Sequence, residues 1–131
     1  MGPEGLTEIE AELRELSDEL TAPRAGECLM CYLYRMMEFG CRGHGFTRRY
    51  QEAAAPRATA LLRRLARMGA CCCECEVFWN AYHLDADYFE FDAAGEPVME
   101  PMPACHGVRK GSTQPCPLWQ PNPLWSVRRR R

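Results

Sequence analysis

Cysteine dominates the chemistry this chain can do. Nine cysteines stand among 131 residues, and in the run RMGACCCECEVFWNAY four of them, Cys71, Cys72, Cys73 and Cys75, crowd into five positions. Cys41 and His44 lie in the loop CRGHGF, Cys28 and Cys31 form a C-x-x-C pair, and Cys105 and Cys116 bracket a turn-rich stretch near the end. Thiolate and imidazole ligands in fours suit Zn²⁺, a borderline-soft ion that takes tetrahedral sulfur and nitrogen sets, with Zn–S distances of about 2.3 Å. Cys41 and His44 follow one helical stretch, and Cys73 and Cys75 follow another. If those two loops meet, Cys41, His44, Cys73 and Cys75 make one closed, structural zinc knuckle. A helix from Cys28 to Cys41 would span roughly 20 Å at 1.5 Å per residue, so Cys28 belongs elsewhere. Cys28, Cys31, Cys105 and Cys116 are then a second candidate set.

Other readings of the same residues are weaker. The Cys28/Cys31 spacing also fits a thioredoxin-like redox pair, but that motif needs a strand leading into the helix, and TAPRAGE offers none. A buried cysteine can equally serve as a small hydrophobe. A zinc hydrolase would want three ligands, an open fourth position and a base such as Glu74 or Glu76. Nothing in the chain resembles a zincin motif, a phosphate-cradling glycine loop or a Ser-His-Asp set. His83 and His106 read as ordinary histidines, and Asp85, Asp87, Glu90 and Asp92 as an exposed face, so the sequence points away from an enzyme.

The charges come in blocks behind a net charge of -2. Residues 1 to 21 carry Glu4, Glu8, Glu10, Glu12, Glu15, Asp18 and Glu19 against Arg14 alone, Arg57, Arg63, Arg64 and Arg67 form a basic stretch, and the chain closes on SVRRRR. Complementary blocks within one fold explain this pattern better than a nucleic-acid surface does. The acidic start is unlike a secretory signal, and no apolar run is long enough to cross a bilayer, so the expected location is cytoplasmic. In that reducing compartment clustered thiols indicate metal or redox chemistry rather than a disulfide framework.

The elements that must position these thiols are helical in the first half. Thr7 and Glu10 form a capping box, and Ile9, Leu13, Leu16 and Leu20 recur at helical spacing until Pro23. A second helix is predicted from Glu27 to Phe39, with Leu29, Leu33 and Met36 on one face and Gly40 to stop it. Thr47 is placed to cap a short segment, and Pro56 to open a third helix carrying Ala58, Leu61, Leu62, Leu65 and Met68 until Gly69. Glu76 to Tyr82 and Tyr88 to Phe91 are rich in β-favouring residues, and DAAGEP reads as a hairpin turn, which predicts a small antiparallel sheet. The tail with Trp119, Trp125 and four arginines has too little apolar surface to order alone.

The segments CLMCYLYRMMEFGC, APRATALLRRL, CECEVFWNAY and CHGVRKGSTQPC, taken in order, resemble the actinobacterial form of a bacterial family known only as domain of unknown function 2695. The family's hallmark is a Cys-Asp-Cys-Glu-Val or -Ile run after a helix, preceded by a Gly-Cys-Asp loop. Here the corresponding residues are Cys73-Glu74-Cys75-Glu76-Val77 and Gly40-Cys41-Arg42. Arg42 thus reverses a charge, and His44 stands where many relatives carry Thr. The resemblance spans roughly residues 27 to 119, supports the thiol pairing, and implies no activity.

The whole predicts an α+β protein with a helical first half, a short antiparallel sheet and a cysteine-rich knuckle. Its expected organisation is an acidic amphipathic helix over 1–24, a cysteine-rich α+β domain over 25–117, and a flexible Trp/Arg tail over 118–131. The expected function is contact with another macromolecule, a protein partner, on a zinc-stapled scaffold, without membrane insertion. A thiol-based redox or metal sensor is the alternative, and a nucleic-acid-binding accessory protein the third reading.

Overall fold

The computed structural model describes residues 3–123. Among the described residues five α-helices and a two-stranded antiparallel sheet make an α+β fold. Helix α1 spans Pro3–Thr21, α2 Leu29–Met36, α3 Gly45–Ala54 and α4 Leu61–Arg67. A short helix, α5 at Glu74–Glu76, runs on into a π-helical turn, Val77–Ala81. Strands β1 (Tyr82–Leu84) and β2 (Trp119–Pro121) pair antiparallel, with His83 opposite Gln120.

The core follows the apolar spacing of α2, whose Leu29, Met30, Tyr32, Leu33 and Met36 are fully buried. Helix α3 packs on α2, and α4 on α3. Tyr50 of α3 lies with its ring centroid 5.6 Å from that of Tyr32 and donates its hydroxyl to Glu27 O at 2.8 Å. Leu61, Leu65, Val77 and Leu118 complete the interior. Helix α2 tightens into a 3-10 turn at Met37–Phe39 and ends where Gly40 turns to φ 90°, a left-handed conformation natural to glycine.

Helix α1 starts at Pro3, so Thr7 lies within the helix rather than capping it. Proline is well suited to a first turn, where its missing N–H has no partner to lose. The end of α1 is held by cations and a phenol. Arg49 donates to Thr21 O at 3.0 Å and Asp18 O at 2.9 Å, Arg35 to Ala22 O at 2.9 Å, and Tyr32 to Thr21 O at 2.6 Å. Carbonyls left open at a helix C-terminus are thereby satisfied by positive charge. Arg35 is itself fixed by a two-pronged contact with Glu27, at 2.9 and 3.0 Å. The rest of α1 stands clear of the core, and Ile9, Leu13, Leu16 and Leu20 are 40 to 61 % exposed.

Other expectations change as well: α3 begins at Gly45, so Thr47 lies inside it, and α4 begins at Leu61 rather than at Pro56. Val77 to Ala81 is helical rather than extended, because Glu74, Val77 and Ala81 are all buried at helical spacing, and packing of that face overrides the aromatic β preference. Of the YFEF stretch, Tyr88 ends a 3-10 turn at Ala86–Tyr88, Phe89 and Glu90 lie in no regular element, and one isolated bridge, Phe91 to Pro97, flanks the DAAGEP turn. The expected tail begins too early at 118. Leu118 and Trp119 are buried and β2 belongs to the fold, Trp119 packing its ring against Phe78 and Tyr34 at 5.6 and 6.1 Å. Trp125 and Arg128 to Arg131 lie outside the described residues.

Candidate metal centres

Two separate turns bring the first group of thiols together. Cys28 caps α2 with extended backbone, and its Sγ accepts the Cys31 N–H at 3.3 Å. One helical turn then places Cys31 beside it. From the far end of the chain, Cys105 Sγ accepts N–H groups of Cys28 and Gly107, both at 3.3 Å, and Cys116 Sγ lies 3.8 Å from Cys31 Sγ. The Trp119 indole N–H donates to Cys31 Sγ at 3.4 Å. The sulfurs of Cys28, Cys31, Cys105 and Cys116 all lie within 4.8 Å of one another. The 105–116 loop is fastened by Val108 N to Gly26 O at 2.9 Å and by Arg64 to Thr113 at 2.8 and 3.0 Å.

The electrostatics of this group are those of thiols pressed into one place. The hydrogen bond with Cys31 pulls Cys28 down to about 5, and the same shared proton, helped by burial, pushes Cys31 up. Burial also raises Cys116. Four sulfurs at this spacing cannot all ionise without a cation among them, since like charges this close oppose each other. A divalent ion removes that conflict, and N–H groups directed at sulfur favour the thiolate form that binds it.

The second group sits where the α2 and α4 exits meet. Glu74 N donates to Gly43 O at 3.0 Å, which ties the CRGHGF loop to the start of α5. Cys41, Cys73 and Cys75 then bring their sulfurs within 4.8 Å of one another, with Cys41 exposed and the other two partly buried. Cys75, through their hydrogen bond, lowers Cys41, and the same bond holds Cys75 up at about 11.

His44, expected as the fourth member, is not in this group. Its Nδ1 instead lies 3.6 Å from Glu74 Oε2. Glu74 is fully buried, and its Oε2 accepts the Thr47 hydroxyl at 2.9 Å. Burial raises its carboxyl above the ordinary range. Neither His44 Nδ1 nor Glu74 Oε1 makes a hydrogen bond. This polar pocket was not foreseen, although a Glu on the buried face of a helical C-E-C-E-V run would have signalled it.

A third grouping joins Cys71, Cys72 and Glu76 at the rim. The two sulfurs are bonded as a vicinal disulfide, and Glu76 Oε1 accepts the Cys72 N–H at 2.9 Å. The two carboxylates considered as general bases are thus committed elsewhere, Glu74 to Thr47 and Glu76 to the loop backbone. His106 stacks edge-on to Tyr88 at 5.0 Å between centroids, outside all three groups.

Residues 29–80 match the model of a family described as "Protein of unknown function (DUF2695)". The matched span runs from the start of α2 into the π-helical turn. It contains Cys31, Cys41, Cys73 and Cys75, and leaves Cys28, Cys105 and Cys116 outside it. No curated protein and no solved structure matches the chain.

Proposed function

We propose that this chain is a zinc-stapled interaction module that acts in the cytoplasm by binding another protein. Zn²⁺ at Cys28, Cys31, Cys105 and Cys116 is structural in this reading, since four protein ligands leave no position for substrate. A second ion sits at Cys41, Cys73 and Cys75. The observation that carries the reading is the meeting of four sulfurs from three distant segments, two of them buried, with N–H groups directed at three of them. No helix among the described residues is long and apolar enough to cross a membrane. The nucleic-acid reading loses support because Arg64, in the middle of the basic stretch, is spent on Thr113.

The test is metal content by mass spectrometry on protein purified under reducing conditions, with Cys105→Ser and Cys73→Ser variants. Zinc at about two ions per chain, with one lost in each variant, is the expected result. Zinc absent from the wild-type protein would sink the proposal.

The exposure of Cys41 within the Cys41, Cys73 and Cys75 group, next in sequence to the disulfide-bonded Cys71 and Cys72, favours a second reading, a redox sensor. A two-electron oxidant such as peroxide would join two of the thiolates of Cys41, Cys73 and Cys75 as a disulfide, itself being reduced to water, and the ion would leave. Selective release of one zinc under mild peroxide, reversed by thiol reductant, supports the sensor, and loss of both ions together argues against it.

A further inference from the structure

Helix α1 is amphipathic, yet its apolar stripe has no cover among the described residues. Ile9, Leu13, Leu16 and Leu20 follow the 4-3-4 spacing of a coiled-coil seam over about 17 Å, and Leu13 is 61 % exposed. An isolated helix of this length is marginal in water, and most helices gain their stability from packing just such a face. Beside the stripe lies a cleft of about 500 Å³, with Leu13, Leu16 and Leu20 on one wall and Phe39, Phe46 and Arg42 on the other. Phe39 and Phe46 pack with tilted rings, centroids 6.4 Å apart, and extend the apolar strip onto the core.

The charges beside the stripe select its occupant. On the helical wheel Glu12 and Glu19 border the stripe on its outer edge, with Glu8 and Glu15 next to them, and Glu10 lies on the other edge. Arg14 is the only cation of residues 7–20 and falls toward the far side. A second copy in antiparallel register would set Glu12 and Glu19 against the same acidic edge; the cations of the cleft, Arg42 and Arg49, line its core side and not that edge, and Arg49 is already paired with Asp18. Anionic lipid headgroups would be repelled as well. We propose that the α1 cleft binds an amphipathic helix of another protein, apolar along its seam and basic along the edge that meets Glu12 and Glu19. The proposal rests on the reading above that the chain acts by protein contact, and it names the chemistry of that contact. It does not depend on which metal the thiols hold.

The experiment titrates the zinc-loaded full chain with three-heptad synthetic peptides, leucine along the seam and either lysine or glutamate at the flanking positions, followed by fluorescence anisotropy. The lysine peptide is expected to bind saturably, at least tenfold tighter than the glutamate peptide, and to weaken as salt is raised. Leu13→Glu/Leu16→Glu should abolish binding, and Glu12→Lys/Glu19→Lys should reverse the preference between the two peptides. Both variants alter exposed positions, so zinc content and melting temperature should stay at wild-type values. A change in those two readouts would count against the scaffold reading instead. The inference is overturned if neither peptide binds, if charge reversal leaves the preference unchanged, or if sedimentation shows a dimer that Leu13→Glu/Leu16→Glu dissolves, which would make a second copy the occupant.

Discussion

Trp119→Ala is the most informative single change, because it asks whether the segment around β2 is part of the fold. Trp119 is 4 % exposed, its ring lies against Phe78 and Tyr34, and its N–H reaches Cys31 Sγ. Truncating a buried tryptophan to alanine costs about 3 to 5 kcal/mol, of which the two aromatic contacts supply about 1 to 2. Against a total stability of about 5 to 15 kcal/mol that is a large share. The melting temperature should fall by about 10 to 20 °C in a domain of this size. Trp119→Phe keeps the stacking and loses the N–H to sulfur bond, so it should cost only about 1 kcal/mol beyond the small loss of volume. Urea unfolding is the assay, with the slope checked for constancy and zinc content measured alongside, so that a lost ion is not mistaken for a lost contact. An alanine variant within about 0.5 kcal/mol of wild type would refute the packing argument for residues 118–121.

Further outcomes follow from other buried groups. Burial holds Tyr32 up at about 12 and raises Tyr50 as well, whereas a phenol in the unfolded chain titrates near 10. The folded state therefore keeps these protons longer, so this contribution to stability is whole below about pH 10 and is lost as pH rises through 12. Tyr32→Phe should flatten that decline in urea titrations, and an unchanged slope would contradict the assignment. Thr47→Val deprives the buried Glu74 carboxylate of its 2.9 Å hydroxyl donor and should cost about 2 to 3 kcal/mol, with Thr47→Ser near wild type. Gly69 has φ +94°, and a Cβ there would lie 2.8 Å from Asn80 Cβ. Gly69→Ala should therefore destabilise by about 2 kcal/mol or more, and a melting temperature unmoved by it would show that this turn relaxes freely.

Much of the first half was legible because its elements follow one simple period. Leu29, Leu33 and Met36 marked α2, Leu61, Leu65 and Met68 marked the face of α4, and Gly40 and Gly69 marked their ends. The meeting of Cys41 with Cys73 and Cys75 followed from both loops leaving helices that pack in one bundle. Cys28, Cys31, Cys105 and Cys116 were grouped by exclusion, since α2 is too long for Cys28 to share an ion with Cys41. The second half resisted for a physical reason. Phe78 and Trp79 favour strands locally, but the buried spacing of Glu74, Val77 and Ala81 decides, and it shows only once the core is known. His44 sits at good ligand spacing from Cys41, yet Glu74 lies beneath it, and no local pattern reveals a carboxylate that packing turns inward. Trp119 looked like tail because its partners, Tyr34 and Phe78, are more than forty residues away in the chain.

The spread of the thiols along the chain sets an order of events during biosynthesis. Cys28 and Cys31 emerge early, and the whole of α3, α4 and α5 is made before Cys105 and Cys116 exist to join them. At ordinary translation rates that gap is roughly four to fifteen seconds. Cys41, Cys73 and Cys75 are complete well before it ends. The group of Cys41, Cys73 and Cys75 can thus assemble on a nascent chain, while Cys28 and Cys31 wait for their two partners. The last-made thiol of the group, Cys116, is also the one next to Leu118 and Trp119 in the chain. Gathering the four sulfurs and seating β2 are therefore a single late step, and a ribosome stalled before residue 116 leaves both undone.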